Sequence, residues 1–342
     1  MTLTVNGPRV VAALARAGVH AVYVDDALGE GIEVSPALSE ETRRQAARTL
    51  RSAFAQGSRA LQTGNELDEA VTAELAAVAH LIAEEIAACG DAVVALQDLA
   101  AADAYTMQHS IDVTTLGLLL GRRVIDEQGW LDYKGDRRFD RREQRLAQLG
   151  LGLIMHDIGK LIVPAEVLSK PGKLTEEEWV LMRKHPLAGL DLLSPSSVSA
   201  LARTVIRSHH ERWDGAGYPD GKSGDTIHEF ARIAAIADVY DAVTSERPYS
   251  PAWSPEAGWQ LIVDGAGTAF DPNLVSVFRQ VVAPYPPGCE IVLEDGRRGI
   301  VSHLEPLALE QPRVRIGWDS DGRPVRPYEL ELDALPALPR AA

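Results

Sequence analysis

A mainly α-helical fold with a small β-containing piece at each end is predicted by three features of the chain. From Ser39 to about residue 282, apolar residues recur at helical spacing, interrupted by Gly and Pro. Residues 286–335 switch to alternating apolar and polar residues with Asp-Gly pairs at 295–296 and 321–322, the pattern of short strands and hairpins. At the start, TLTV and HAVYVDD alternate like strands on either side of the helically spaced VVAALARAG.

The elements follow in order. Residues 1–38 read as a short β/α module and a linker marked by Gly29, Gly31 and Pro36. Residues 39–100 read as packing helices. Ser39 caps the first, Glu40 and Glu41 suit its positive end, and Gly57 is expected to stop it. The second runs from Leu67 to Ala88 with Leu75, Val78, Leu81, Ile82 and Ile86 on one face, and ends at Gly90. These helices suit packing against the rest of the chain or against a second copy of it. His109 lies in the amphipathic DAYTMQHSIDVTTLGLLLGRRV, and residues 129–145 read as a charged loop. Its Arg137, Arg138, Arg141, Arg142 and Arg145 are solvated in that reading, or steer an anionic ligand or meet an acidic partner.

The apolar run LGLGLIM then ends in His156, Asp157 and, three residues on, Lys160. Pro164, Pro171 and Gly172 mark a loop, Thr175 and Glu178 form a capping box, and His185 falls between two short helices. The next helix, with Leu201, Val205 and Ile206 on one face, delivers His209 and His210, which point about 100° apart. The segment WDGAGYPDGKSGD, carrying Gly217, Tyr218 and Pro219, is a Gly- and Pro-rich loop that permits close backbone approach to a ligand. Asp238 lies within the apolar RIAAIADVYDAV, Arg247 follows in SERPYS, and two more helices fill 255–282.

Composition sets bounds on function. A chain of 342 residues, 46% of them apolar, holds one large domain with appendages. A net charge of −15 disfavours binding to nucleic acid polymers, which calls for a basic patch, but not to a small anionic nucleotide whose charge bound cations offset locally. Two distant cysteines, Cys89 and Cys289, indicate a reducing compartment rather than a disulfide framework. MTLTVNGPRV lacks the basic start and apolar core of a secretory signal, and no run approaches the roughly 18 apolar residues of a membrane span. The expected location is cytoplasmic.

The chemistry points to metal. An imidazole and a carboxylate carried together at the end of a buried segment bind a divalent ion, and the carboxylate can bridge two. Five of nine histidines, His109, His156, His185, His209 and His210, gather in the middle of the chain. An unpaired Asp238 in an apolar helix is costly to bury, a cost that metal ligation offsets. Arg247 can pair with an anionic oxygen pair in two-pronged fashion, and Lys160 offers a compact ammonium charge beside the His-Asp pair.

Taken together, HDIGK, KHP, HHERWDGAGYP and ADVYDAVTSERPY resemble the HD-GYP family, a branch of the HD-domain phosphohydrolases that hydrolyse cyclic di-GMP. The likeness covers roughly residues 100–285 and implies an HD-domain helical bundle over 101–285, followed by a small β appendage at 286–335. It implies two divalent ions, iron or manganese first with zinc and nickel compatible, held by His109, His156, Asp157, His185, His209, His210 and Asp238. Asp157 bridges them. His156 and Asp238 are assigned to one side with His109 joining, and His185, His209 and His210 to the other. Asp157 and Lys160 carry the catalytic roles, and Lys160, Gly217, Tyr218, Pro219 and Arg247 contact the nucleotide. The expected product is pGpG, GMP or both, and the expected partners are cyclic di-GMP and GGDEF diguanylate cyclases, with homodimerisation through the 39–100 helices. Two departures stand out: Tyr105 occupies a position where some members carry a third-metal glutamate, and Ser250 one where members often carry a basic residue. The competing readings are a general HD-type nucleotide phosphohydrolase and a cyclic dinucleotide-binding module without turnover. The full set of metal-binding residue types favours the enzyme.

Overall fold

The structure, a computed structural model, describes residues 9, 10, 13, 28–32, 36–88, 105–132, 134–245, 252–306 and 308–332. The strand–helix reading of residues 1–25, Cys89, Gly90, the side chain of Tyr105, Arg247 and Ser250 lie outside what is described. The described chain is mainly helical with a small C-terminal sheet, and it divides into two compact units. One comprises Ala37–Ala92 with Thr106–Val281; the other comprises Met1–Pro36, Val93–Tyr105 and Val282–Ala342. Residues 37–92 therefore share a compact unit with the histidine-bearing helices. No helix among the described residues is long and apolar enough to cross a membrane.

The helical unit opens with α1 (Glu40–Thr63), capped by the Ser39 hydroxyl accepting from the Thr42 amide at 3.2 Å. Gly57 does not end this helix; Gly64, in the left-handed conformation, does. A Cβ at Gly57 would stand 2.6 Å from Leu161 Cδ1, so this glycine lets α1 lie close over the turn that follows Asp157. Helix α2 (Glu69–Ala88) buries Leu75, Val78, Ile82 and Ile86. Helix α3 (Tyr105–Gln128) is buried almost continuously from His109 to Leu120.

The region 129–145 is largely exposed and leads into a helix, as expected, and carries a short ladder of its own. Trp130–Leu131 (β1) and Arg137–Arg138 (β2) form a short antiparallel ladder, the Trp130 indole donates to Asp140 O at 2.7 Å, and the Arg145 guanidinium lies 3.7 Å from the Trp130 ring centre. Arg137 pairs with Glu229, Arg138 with Asp132, and Arg142 with Asp126. Much of the arginine run is thus engaged within the fold.

Helix α4 (Arg142–Ile154) packs against α2 on one side and α8 (Ala200–Ser208) on another, and Leu149–Ile154 are buried all round. This explains the absence of a polar face in LGLGLI, and each fully buried Leu or Ile there contributes about 1.5–3 kcal/mol. A 3₁₀ turn (Ile158–Ile162) follows, then α5 (Ala165–Leu168), α6 (Glu176–Met182) and α7 (His185–Asp191). The capping box at the start of α6 forms, with Thr175 Oγ accepting from the Glu178 amide and Glu178 Oε2 accepting from the Thr175 amide. Helices α9 (Glu229–Thr244), α10 (Pro255–Asp264) and α11 (Pro272–Val281) complete the unit.

In the second unit, β3 (Glu290–Val292), β4 (Arg298–His303), β5 (Arg313–Trp318) and β6 (Pro324–Glu331) form an antiparallel meander in that order. Gly296 and Gly322 take positive φ in the two Asp-Gly turns. Val301, Val314 and Ile316 point into a core with Ile291, Leu304 and Leu309. Residues 28–32 are not a free linker: Arg315 donates to Leu28 O at 2.8 Å and to Glu30 O at 2.7 Å.

Gly159 fixes the relation between the His156–Asp157 turn and α7. A Cβ there would stand 1.9 Å from His185 O and 2.4 Å from Gly189 N, both backbone atoms that cannot swing aside. Gly159→Ala is therefore expected to cost about 3 kcal/mol, lowering the thermal midpoint at roughly 2–4 °C per kcal/mol. Circular dichroism melts of the two proteins check this; matching midpoints would mean that α7 shifts freely.

Candidate metal centre

The seven histidine and aspartate side chains singled out in the sequence converge at one place in the helical unit. His109 comes from the second turn of α3, and His156 and Asp157 from the turn just past the end of α4. His185 begins α7, His209 caps the C-terminus of α8 with His210 next, and Asp238 lies in α9. His109, His156, Asp157, His185, His209 and Asp238 are buried.

Two groups share Asp157: His109 and His156 with Asp157, and His185, His209 and His210 with Asp157. Within each group the candidate ligand atoms lie within 4.8 Å of one another. Asp157 Oδ2 is 3.6 Å from His109 Nε2 and 3.4 Å from His156 Nε2, while Oδ1 is 3.4 Å from His185 Nε2 and 4.0 Å from His209 Nε2. One carboxylate thus presents a different oxygen to each group. Asp238, assigned to one side from the sequence, reaches both: Oδ1 is 3.2 Å from His109 Nε2 and 3.8 Å from His156 Nε2, and Oδ2 is 3.6 Å from His210 Nδ1.

This donor set fits divalent metal. Asp157 Oδ1 and His156 Nε2 are fully buried and have no hydrogen-bond partner, a costly state for protein alone. His185 Nε2 faces His209 Nε2 at 3.2 Å, two ring nitrogens meeting where at most one can carry a bridging proton in the neutral rings. The second ring nitrogens are already used. His156 Nδ1 lies 2.7 Å from Leu153 O, His185 Nδ1 2.8 Å from Met182 O and His209 Nδ1 2.9 Å from Ile206 O, all oriented by carbonyls near helix ends.

Protonation states agree with this fit. Burial pushes His210 down to about 3 and His209 well below the ordinary imidazole value, and burial also lowers His185. Burial opposes ionisation of Asp157, yet Lys160 and His156 hold its carboxyl well below the usual range. Asp238 is likewise held down against burial, by His109 and His210. His109 is the exception: burial alone would lower it, but the Asp238 and Asp241 carboxylates raise it to about 10.

Around the centre, Lys160 Nζ lies 2.5 Å from Asp157 Oδ2. The Tyr218 ring stacks on His210 at 4.7 Å between centres, with the Arg183 guanidinium 5.7 Å from the Tyr218 ring centre. Gly217 is required here, since a Cβ would stand 2.4 Å from Arg212 N and 2.6 Å from His210 O. Pro219 follows, half-buried. Three residues given no role by the sequence reading also contribute. Glu211 accepts from the Asp220 amide at 2.7 Å and the Lys222 amide at 3.0 Å, fastening the 217–222 loop. Asp241 lies 2.6 Å from His109 Nδ1, and Arg183 stands beside Tyr218. Glu211 could have been suspected from its place directly after the His pair, and Asp241 from the burial argument made for Asp238, since both lie in one apolar segment; nothing in the sequence pointed to Arg183.

A family model described as HD domain matches residues 129–274. The chain is 34% identical over 297 residues to a cyclic di-GMP phosphodiesterase of Pseudomonas aeruginosa, covering 86% of this chain and 67% of that protein. It is 44% identical over 136 residues to a cyclic di-GMP phosphodiesterase response regulator of Xanthomonas campestris, covering 39% of this chain and 36% of the relative. Among solved structures, an HDG"Y"P protein of Bdellovibrio bacteriovorus aligns with a TM-score of 0.52 at 16% identity over 70% of each chain, a likeness of fold.

The neutral histidines set an acid limit on the metal-free protein. Below the ordinary imidazole value of about 6.5 the unfolded chain takes up protons that folded His185, His209 and His210 refuse. Their contribution is therefore present above about pH 6.5 and lost as pH falls toward the folded values. That of His109 has the opposite sign, complete below about 6.5 and fading as pH rises toward about 10. The urea midpoint of metal-stripped protein should drop between pH 7 and 5, each unprotonated histidine contributing about 1.4 kcal/mol per pH unit. His210→Gln should flatten the drop, and an equal slope in both proteins would contradict a neutral His210.

Proposed function

The chain belongs to the HD-GYP family of HD-domain phosphohydrolases, and on that premise we propose that it hydrolyses cyclic di-GMP, to pGpG, GMP or both, as a metal-dependent phosphodiesterase. The observation that carries this reading is the double ligand set around Asp157, with buried ligand atoms that have no hydrogen-bond partner. His109, His156, Asp157 and Asp238 would hold one ion, and Asp157, His185, His209 and His210 the other, with Asp238 within reach of both. Bound there, divalent ions supply Lewis-acid charge to a phosphodiester and acidify water.

The chain's own residues supply the rest. Lys160, about a quarter exposed and anchored on Asp157, sets an ammonium where a phosphoryl oxygen would enter beside the ions. Burial, reinforced by the Asp238 and Asp157 carboxylates, pushes the Tyr218 hydroxyl up from its ordinary value, so it stays protonated and donates a hydrogen bond rather than acting as a base. Its ring, stacked on His210, sets the side wall of the site, and Gly217 brings the loop backbone against His210. Arg247 is the second phosphate contact in this reading.

Iron or manganese is the proposed metal by likeness to the family; the imidazole and carboxylate donors of the ligand groups are compatible with either, and with zinc or nickel as well. A cytoplasmic setting, a GGDEF diguanylate cyclase as the functional partner that supplies the substrate, and a homodimer formed through α1 and α2 belong to the same reading.

The test is hydrolysis of cyclic di-GMP by protein loaded with Fe²⁺ or Mn²⁺, with bound metal measured in parallel. Asp157→Ala should abolish turnover and metal retention. Lys160→Met should keep the metal and lower kcat by about 10²-fold, the scale of losing one stabilising group at a developing charge. Two bound ions with no cleavage of cyclic di-GMP would overturn the assignment in favour of binding without turnover.

A further inference from the structure

The histidines of the centre are not oriented in the same way. His156, His185 and His209 lie at helix boundaries, and each uses Nδ1 on a carbonyl from the last turn of a preceding helix, Leu153 O, Met182 O and Ile206 O respectively. Such carbonyls lie past the helix's last full turn of amides, so each has a lone pair left for a side chain, Leu153 O even while it takes the His156 amide at 3.2 Å. His109 has no such recourse. It lies inside α3, where the carbonyl one turn back is already committed to the helix ladder.

Its Nδ1 is met instead from another helix. Asp241 Oδ2 lies 2.6 Å away, both residues are buried, and Asp241 Oδ1 accepts from the Ser245 hydroxyl at 2.9 Å. Asp241 lies one turn beyond Asp238 on α9, so the two carboxylates bracket the ring. Asp238 Oδ1 lies 3.2 Å from Nε2 on the metal side, and Asp241 lies on the far side at Nδ1. Asp241 is itself in neither ligand group. A further buried carboxylate on α3, Asp112, is satisfied separately by Arg43 at 2.7 Å and Gln108 at 2.7 Å, which leaves Asp241 to His109 and Ser245.

We propose that Asp241 is the positioning residue for His109: it accepts the Nδ1 proton, fixes the tautomer and turns the Nε2 lone pair toward the ion shared with His156 and Asp157. The inference rests on the two-metal reading above. An imidazole ligates through one nitrogen only when the other carries its proton, and a carboxylate acceptor also raises the basicity of the ligating nitrogen. The group of His185, His209 and His210 owes nothing to Asp241.

Calorimetric titration of the metal-stripped full chain with Mn²⁺ tests this. Wild type is expected to bind two ions. Asp241→Ala should weaken one of them by about 10–100-fold and leave the other unchanged. Asp241→Leu, similar in reach and unable to accept, should do the same and serves if the alanine variant does not fold, as judged by circular dichroism. Asp241→Asn, whose carboxamide oxygen still accepts from Nδ1, should recover part of the loss. In the double variant with His109→Ala, removing Asp241 should add nothing, because the group it orients is gone. Two sites of wild-type affinity in a folded Asp241→Ala or Asp241→Leu protein would overturn the inference, as would losses that add in the double variant. A wild type that binds no Mn²⁺ would instead overturn the two-metal reading itself.

Discussion

Asp157 places an ionised carboxylate in the interior of a helical unit, and much of the surrounding architecture answers that one charge. It is 1% exposed, and neither of its oxygens could remain ionised there without strong local compensation. Lys160 reaches one oxygen from three residues away, and imidazoles from α3, α4, α7 and α8 approach both. The compensation is incomplete in protein alone, since Oδ1 has no hydrogen-bond partner. The arrangement makes physical sense as a site whose last partner is a cation. Gly159 belongs to the same constraint, because the turn carrying Asp157 must touch the backbone of the helix carrying His185.

A second regularity is that the centre is assembled from helix ends. α4, α6 and α8 each terminate beside it and offer carbonyls that orient an imidazole, so three ligands are aimed by local backbone geometry alone. His109 and Asp238 come instead from helix interiors, and their orientation depends on helix–helix packing.

The Gly-rich segment after His210 is tied down by several hydrogen bonds. Glu211 binds two of its amides, Arg207 grips Asp220 through two hydrogen bonds of 2.9 and 2.7 Å, and the Trp213 and Asp214 amides donate to Ala269 O and Thr268 O. Tyr218 is therefore presented in a fixed pose against His210 rather than carried on a loose loop. Preorganisation of this kind lowers the ordering cost of binding a ligand.

Most of the secondary structure was legible because its causes are local. The caps at Ser39 and Thr175, the Asp-Gly turns of the sheet and the all-apolar LGLGLI each act within a few residues of sequence. The grouping of histidines and the cost of burying Asp238 announced a candidate metal centre for the same reason: residue chemistry is written in the residue. Gly57 was misread because a glycine that breaks a helix and one that admits a neighbour look alike until Leu161 is seen against it. The arginines at 137–142 are exposed, as their charged sequence context implied, but their partners Glu229 and Asp126 lie elsewhere in the chain and were not legible from it. Which oxygen of Asp157 faces which histidine, the reach of Asp238 to both groups, and the contact of Asp241 with His109 across 132 positions were decided by tertiary structure alone. The sequence by itself determined the helical class and which side chains are candidates to hold metal, since these follow from periodicity and donor chemistry. The division of labour among those side chains follows from distances of a few ångströms between helices, which depend on how the whole core packs.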